Sequence, residues 1–376
     1  MVVGLGVACT GANLPDATVS PTTAGTGSLA TTPATGGTTT PATGVPTSAA
    51  VAPSLETGGT LVISGGPIGG TGNEGPGLRI ETSTTTLPRR PATTVPPPLG
   101  AVNRPFAVGN MQTTFTDSGR PAGSNPVRTL RTTIWYPADG DPAERGGNLP
   151  AAAGRFPLVV FVHGWAAAAA DYAPLLLDVA AAGYVVAAAD HPLTSRANGA
   201  VNEQDTFNQP ADLTFLITQL QGAFNQSGPL AGRIWSGPVG AIGQSDGAMT
   251  VMGLALNTCC FDYRVGGVVA LSGKVTGWQN GWFPPDTSPV LAVHGTNDSI
   301  NPYPNGQFLF GQAASGSALL TVNGGDHQGI FTTAPAVPTI ARVAVGFLDQ
   351  TLRGDVGGRA RMSADGAADG FSIVFK

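Results

Sequence analysis

Apolar and polar positions alternate along this chain in two different rhythms. Leu158-Val159-Val160-Phe161-Val162 is a continuous apolar run, the mark of a strand buried on both faces. Tyr184 to Ala189, Val239 to Ile242, Val265 to Leu271, Pro289 to Val293 and Ala318 to Val322 read the same way. Between them the period lengthens. Asp171 to Ala182 puts Leu175, Leu176, Val179 and Ala180 on one helical face, with Gly183 as its stop. Gln209 to Gln221 carries Leu213, Leu216, Ile217 and Leu220 on one stripe, and Pro304 to Ala314 and Thr339 to Leu352 supply two more helices. Ahead of this alternation, Phe106-Ala107-Val108 with Met111 to Phe115 predicts an antiparallel strand. Thr129 to Tyr136 predicts a second, which Pro137 should end. Buried strands alternating with helices imply an α/β fold. Its sheet should be mostly parallel and flanked by helices, with two leading antiparallel strands.

The first hundred residues follow neither rhythm. Residues 10–100 are rich in Thr, Pro, Gly, Ala and Ser with hardly an aromatic, too little apolar surface to offset ordering entropy, and read as a disordered linker. Residues 1–9 are short, apolar and uncharged and suggest the remnant of an export signal. Val7-Ala8-Cys9 resembles the end of a bacterial lipoprotein signal, with Cys9 as the lipid-bearing residue, although Gly6 stands where Leu is usual; a plain secretory remnant is the alternative. The expected organisation is therefore 1–9 signal remnant, 10–100 linker, 101–355 catalytic domain and 356–376 C-terminal tail. Secretion or attachment to the cell surface is expected.

Composition narrows the partners. Charged residues make up 11% and net charge is -5, which argues against nucleic acid or an anionic membrane surface as partner. No apolar run is long enough for a transmembrane helix. The three cysteines, Cys9, Cys259 and Cys260, form no disulfide framework or Cys-based metal site. Adjacent cysteines seldom bridge each other, so Cys259 and Cys260 are expected as buried packing at a helix end.

Ligands on such sheets bind outside the carboxyl ends of the strands. One strand there ends in Gly243-Gln244-Ser245-Asp246-Gly247, followed by the small, apolar Ala248 to Met252. A tight strand-to-helix turn lifts a serine hydroxyl clear of the backbone, and small flanking residues let the two elements approach. With 54 glycines in 376 residues the motif alone is weak. A serine also needs a base to take its proton. Of the four histidines, His163, His191 and His294 stand at or just after strand ends, and His327 sits in Asn323-Gly324-Gly325-Asp326-His327. Only His327 lies downstream of both the serine and a strand-end carboxylate, Asp298. The order Ser245, Asp298, His327 then suggests nucleophile, orienting acid and base, with Nε2 of His327 taking the Ser245 proton. The two N–H donors of an oxyanion hole are expected at Asp246 and at Trp165, just after His163-Gly164.

On these residues the chain from about 104 to 353 resembles the α/β-hydrolase superfamily. Within it, the chain is similar to bacterial cutinases and poly(ethylene terephthalate) hydrolases, and to platelet-activating-factor acetylhydrolase-like and dienelactone-hydrolase-like esterases. The echoes are Trp135-Tyr136-Pro137, the turn at Gly164-Trp165, Ala182-Gly183-Tyr184-Val185-Val186, Asn297-Asp298-Ser299-Ile300 and Gly324-Gly325-Asp326-His327. The resemblance implies a serine ester hydrolase working through an acyl-enzyme without a cofactor. No dedicated carboxylate cluster for calcium is visible. Departures bear on substrate. Gln244 and Asp246 stand where polyester hydrolases of that group carry an aromatic or His and a Met, and the family's disulfides are missing.

The Leu271–Pro289 interval is too short for a lid domain. It carries Trp278, Trp282 and Phe283, which with Trp165 and Gln244 are the candidate substrate-binding positions. An open cleft suits polymeric or lipid esters, and esterases of small esters look the same. A monomer is expected, tethered through Cys9 if that residue is lipidated. A serine peptidase and a non-catalytic surface module are the competing readings.

Overall fold

The computed structural model describes residues 105–278, 280–333 and 335–376. Cys9, the signal remnant and the linker lie outside the described residues. Nine strands form one sheet in the order β1-β2-β4-β3-β5-β6-β7-β8-β9. Strands β1 (Ala107–Asp117) and β2 (Arg128–Ala138) are antiparallel to each other, and β2 is antiparallel to β4 (Val185–Asp190). From β4 through β3 (Leu158–Val162), β5 (Val239–Gln244), β6 (Val265–Leu271), β7 (Val290–Gly295) and β8 (Ala318–Val322) every pairing is parallel.

The helices are α1 (Ala173–Ala181), α2 (Gln209–Gln221), α3 (Ala223–Gln226), α4 (Asp246–Leu256), α5 (Pro304–Gln312), α6 (Gly329–Thr332), α7 (Ala336–Arg353) and α8 (Gly358–Asp365). They cover both faces. Because side chains alternate along a strand, β3 sends Leu158, Val160 and Val162 into the core shared with α2, α4 and α5. Its Val159 and Phe161 enter the core shared with α1, α7 and α8. Two-sided burial is what the unbroken apolar runs encode.

Three expectations need correction. Pro137 does not end β2, which runs on to Ala138. The pairing of β2 with β4 stops at Trp135, and beyond it residues 150–152 take the place of β4, bridging Ala138 to Ala151 and donating the Ala152 N–H to Pro137 O at 2.9 Å, so the missing proline N–H breaks no rung between β2 and β4. The chain after 355 is not a tail outside the fold. Gly354 closes α7 in the left-handed region (φ 68°), α8 packs on α7, and β9 (Phe371–Phe375) pairs antiparallel with β8 as an edge strand. Its alternation is short and one-sided, which makes it hard to tell from coil. Finally, Cys259 and Cys260 are bonded to each other, with Cα atoms 3.8 Å apart. The chain turns sharply as it leaves α4: Asn257 Oδ1 accepts the Cys259 N–H at 2.8 Å and Gly281 O accepts the Thr258 N–H at 2.9 Å. That turn brings the two sulfurs together instead of burying them at a helix end.

Candidate active site

At the end of β5 the backbone does what the motif demands. Ser245 adopts φ 55° and ψ -116°, a conformation costly for any residue with a Cβ, and α4 starts at the next residue. The flanking glycines are required by backbone contact. A Cβ on Gly243 would overlap the Gly247 carbonyl, and one on Gly247 would overlap the Val162 carbonyl at the end of β3. Elbow and β3 therefore touch without side chains between them.

Two loops bring the partners. After β7, Asp298 is 5% exposed, and its Oδ1 accepts the N–H groups of Ile300 (3.0 Å) and Asn301 (2.8 Å). Asn301 Nδ2 donates to Ser272 O, anchoring this turn to the end of β6. After β8, the 323–327 loop is clamped to it: Asn297 N–H donates to Gly325 O at 2.9 Å and Gly324 N–H to Thr296 Oγ1 at 2.7 Å. His327 is thereby placed with Nδ1 2.8 Å from Asp298 Oδ2 and Nε2 2.9 Å from Ser245 Oγ. The carboxylate fixes the tautomer: Nδ1–H donates to Asp298, leaving Nε2 to accept the serine proton. Burial alone would push the Asp298 carboxyl up. Hydrogen bonds from His327 and the Asn301 N–H outweigh it and hold Asp298 below the usual carboxylate range.

The turn after β3 leans on this elbow. A Cβ on Gly164 would stand 3.2 Å from Ser245 Cβ, and the next residue, Trp165, is 37% exposed. His163 holds the turn from beneath. Its Nδ1–H donates to Gly164 O (2.8 Å), and its Nε2 accepts the His191 N–H (3.3 Å). Burial, helped by His191, depresses its pKa to about 4, so it is neutral in this role. Ala166 (φ 53°) completes the turn and donates its N–H to Thr194 O. Among the described residues neither the Trp165 N–H nor the Asp246 N–H has a protein acceptor. Two free donors beside a serine hydroxyl are what an oxyanion needs.

The remaining candidates divide. Gln244 is not a substrate-facing side chain. It is 2% exposed and spent on internal bonds, to His327 O through Nε2 (2.9 Å) and from Tyr172 OH through Oε1 (2.7 Å). Trp278 and Trp282 are half-buried. Trp278 lies across Gly253 of α4, where a Cβ would overlap its ring, and meets Phe207 edge-on at 5.5 Å and Trp282 at 5.9 Å. Trp282 Nε1 donates to Trp278 O. The Asp246 carboxyl is pushed up by burial and by Glu203, with Lys274 and His327 opposing. Glu203, Phe207 and Tyr172 were not among the sequence candidates. The first two belong to a 3-10 turn (Glu203–Asn208) that no periodicity marks, and Tyr172 closes another short turn before α1.

Residues 127–221 match the family described as platelet-activating factor acetylhydrolase, isoform II. No curated protein sequence matches the chain. Among solved structures, the chain is similar to a ferulic acid esterase from Streptomyces cinnamoneus at 19% identity and a TM-score of 0.53, over 70% of this chain and 93% of that one. The sheet order, the elbow and this similarity together make the fold that of an α/β-hydrolase.

Proposed function

We propose that this chain, an α/β-hydrolase in fold, is a serine carboxylic-ester hydrolase. The observation that carries the proposal is the unbroken line Ser245 Oγ, His327 Nε2, His327 Nδ1, Asp298, with contacts of 2.9 and 2.8 Å. Ser245 Oγ attacks the ester carbonyl carbon as its proton passes to His327 Nε2. The carbonyl oxygen takes the negative charge and is met by the N–H groups of Asp246 and Trp165. The carbon–oxygen bond to the alcohol then breaks, and His327 returns the proton to the leaving alkoxide. Water, deprotonated by His327, attacks the acyl-serine and releases the acid. Asp298 stays ionised throughout and stabilises the imidazolium.

The substrate class follows the surface beside the elbow. Trp165, Phe207, Trp278 and Trp282 offer aromatic area to acyl or alcohol groups with flat, apolar character. We read polyesters, small esters and lipid esters as the candidates. Secretion, with attachment through a lipid on Cys9, is part of the same reading, and mass spectrometry of the mature N-terminus tests it. The activity is tested on a panel of p-nitrophenyl acyl esters, methyl ferulate and polyester film. Wild type should hydrolyse at least the activated esters, and Ser245→Ala should lose the activity. Equal rates from the two proteins would remove the mechanism, and soluble esters cut with no product from film would remove the polymer reading.

A further inference from the structure

Gln244 is the last residue of β5 and the immediate neighbour of Ser245, yet its side chain turns away from solvent. Its amide has only one workable orientation. Tyr172 is fully buried, and burial pushes its phenol pKa far up, so the hydroxyl keeps its proton and donates it to Gln244 Oε1 at 2.7 Å. The same hydroxyl accepts from Gln328 Nε2 at 3.4 Å. With Oε1 so engaged, the amide NH₂ faces the other way and donates to the His327 carbonyl at 2.9 Å. The Gln244 side chain also fills the space beneath Gly164, where a Cβ would overlap Oε1. One buried amide thus touches the base's own backbone, the serine's strand and the turn that presents Trp165.

We propose that Gln244 is a positioning residue that holds His327 in register with Ser245 through the His327 carbonyl, with Tyr172 orienting its amide. The proposal rests on the esterase reading above. It explains why this position carries a residue with both a donor and an acceptor. A hydrophobic residue would leave the His327 carbonyl without its donor and the Tyr172 O–H without its acceptor, and a carboxylate would set a negative charge against that carbonyl. The titratable and charged side chains facing this network are Tyr172, with Asp171 and Arg196 acting on it, and, across its own backbone, His327.

The test compares Gln244→Leu, Gln244→Glu and wild type on a p-nitrophenyl ester, with amide hydrogen exchange as a second readout. In Gln244→Leu kcat should fall roughly 10- to 100-fold with KM little changed, since substrate binding is untouched. In Gln244→Glu the buried carboxyl takes up a proton more readily than an exposed one and can then donate as the amide does. Its kcat relative to wild type should therefore rise several-fold from pH 8 to pH 6, which a merely structural role would not produce. Exchange at the Gly325 and Phe331 amides should quicken in Gln244→Leu whatever the enzyme's activity. A Gln244→Leu kcat within about twofold of wild type, a flat pH ratio for Gln244→Glu, or unchanged exchange would each overturn the proposal. Loss of the esterase reading is seen separately, as turnover that survives Ser245→Ala.

Discussion

His294 Nε2 lies 3.3 Å from Asp298 Oδ2, so the carboxylate that holds His327 has a second imidazole beside it. The two histidines are not equivalent. Burial lowers the His294 pKa and keeps the ring neutral, and its Nε2–H is directed mainly to Asn301 O at 2.6 Å. His327 alone reaches the serine. We therefore expect Asp298→Asn to lower kcat by about 10³- to 10⁴-fold through the wrong His327 tautomer. His294→Gln, which can still donate to Asn301 O, should cost less than about tenfold. Steady-state kinetics on an activated ester checks the order, and the reverse order would reassign the base.

His163 makes stability depend on pH. Its pKa is depressed from about 6.5 in the unfolded chain to about 4 in the fold, so its contribution is fully present above pH 6.5 and is lost as pH falls toward 4. The loss over that window is on the order of 3 kcal/mol. Urea unfolding of wild type and His163→Gln at several pH values measures it. The stability gap between the two should shrink on acidification. A constant gap would mean that His163 titrates alike in both states.

Arg128 is 1% exposed and grips two buried carboxylates, Asp205 at 2.8 Å and Asp212 at 2.7 Å. Desolvation disfavours its charge, but those two partners outweigh it and raise its pKa further. Removing the guanidinium alone, as in Arg128→Met, should destabilise the domain by about 3–5 kcal/mol because Asp205 is left buried without a cation, while Asp212 keeps Arg120 at 2.7 Å and His191 at 3.0 Å. Adding Asp205→Asn should restore part of that loss in chemical denaturation. No recovery would show that packing of the Arg stem, not charge, sets the penalty.

The elbow stores strain that a glycine would release. At φ 55°, Ser245→Gly should be more stable than Ser245→Ala by roughly 1–2 kcal/mol, although both lack the serine hydroxyl. Thermal melts of the two variants make the comparison. Equal melting temperatures would say that the turn is relaxed.

Much of this molecule is written in period. The buried strands and Ser245, Asp298 and His327 were readable because apolar runs and strand ends are local features, and the order of three residues constrains the chemistry. What escaped is non-local. Gln244 looked like a cleft residue until the fold placed Tyr172 and His327 on either side of it. The bond between Cys259 and Cys260 depends on a turn set by Gly281, more than twenty residues on. The edge strand β9 becomes one only because β8 offers it a ladder.

In the sheet, β6 and β7 lie between the strand that leads into Ser245 and the strand that precedes His327. The reacting geometry thus exists only once four parallel strands stand in register, each joined to the next by a crossover whose closure entropy is spent before its contacts form. During refolding, turnover should return after helical and sheet signals have recovered. On the proposed reading, recovered turnover would mark the last event of assembly.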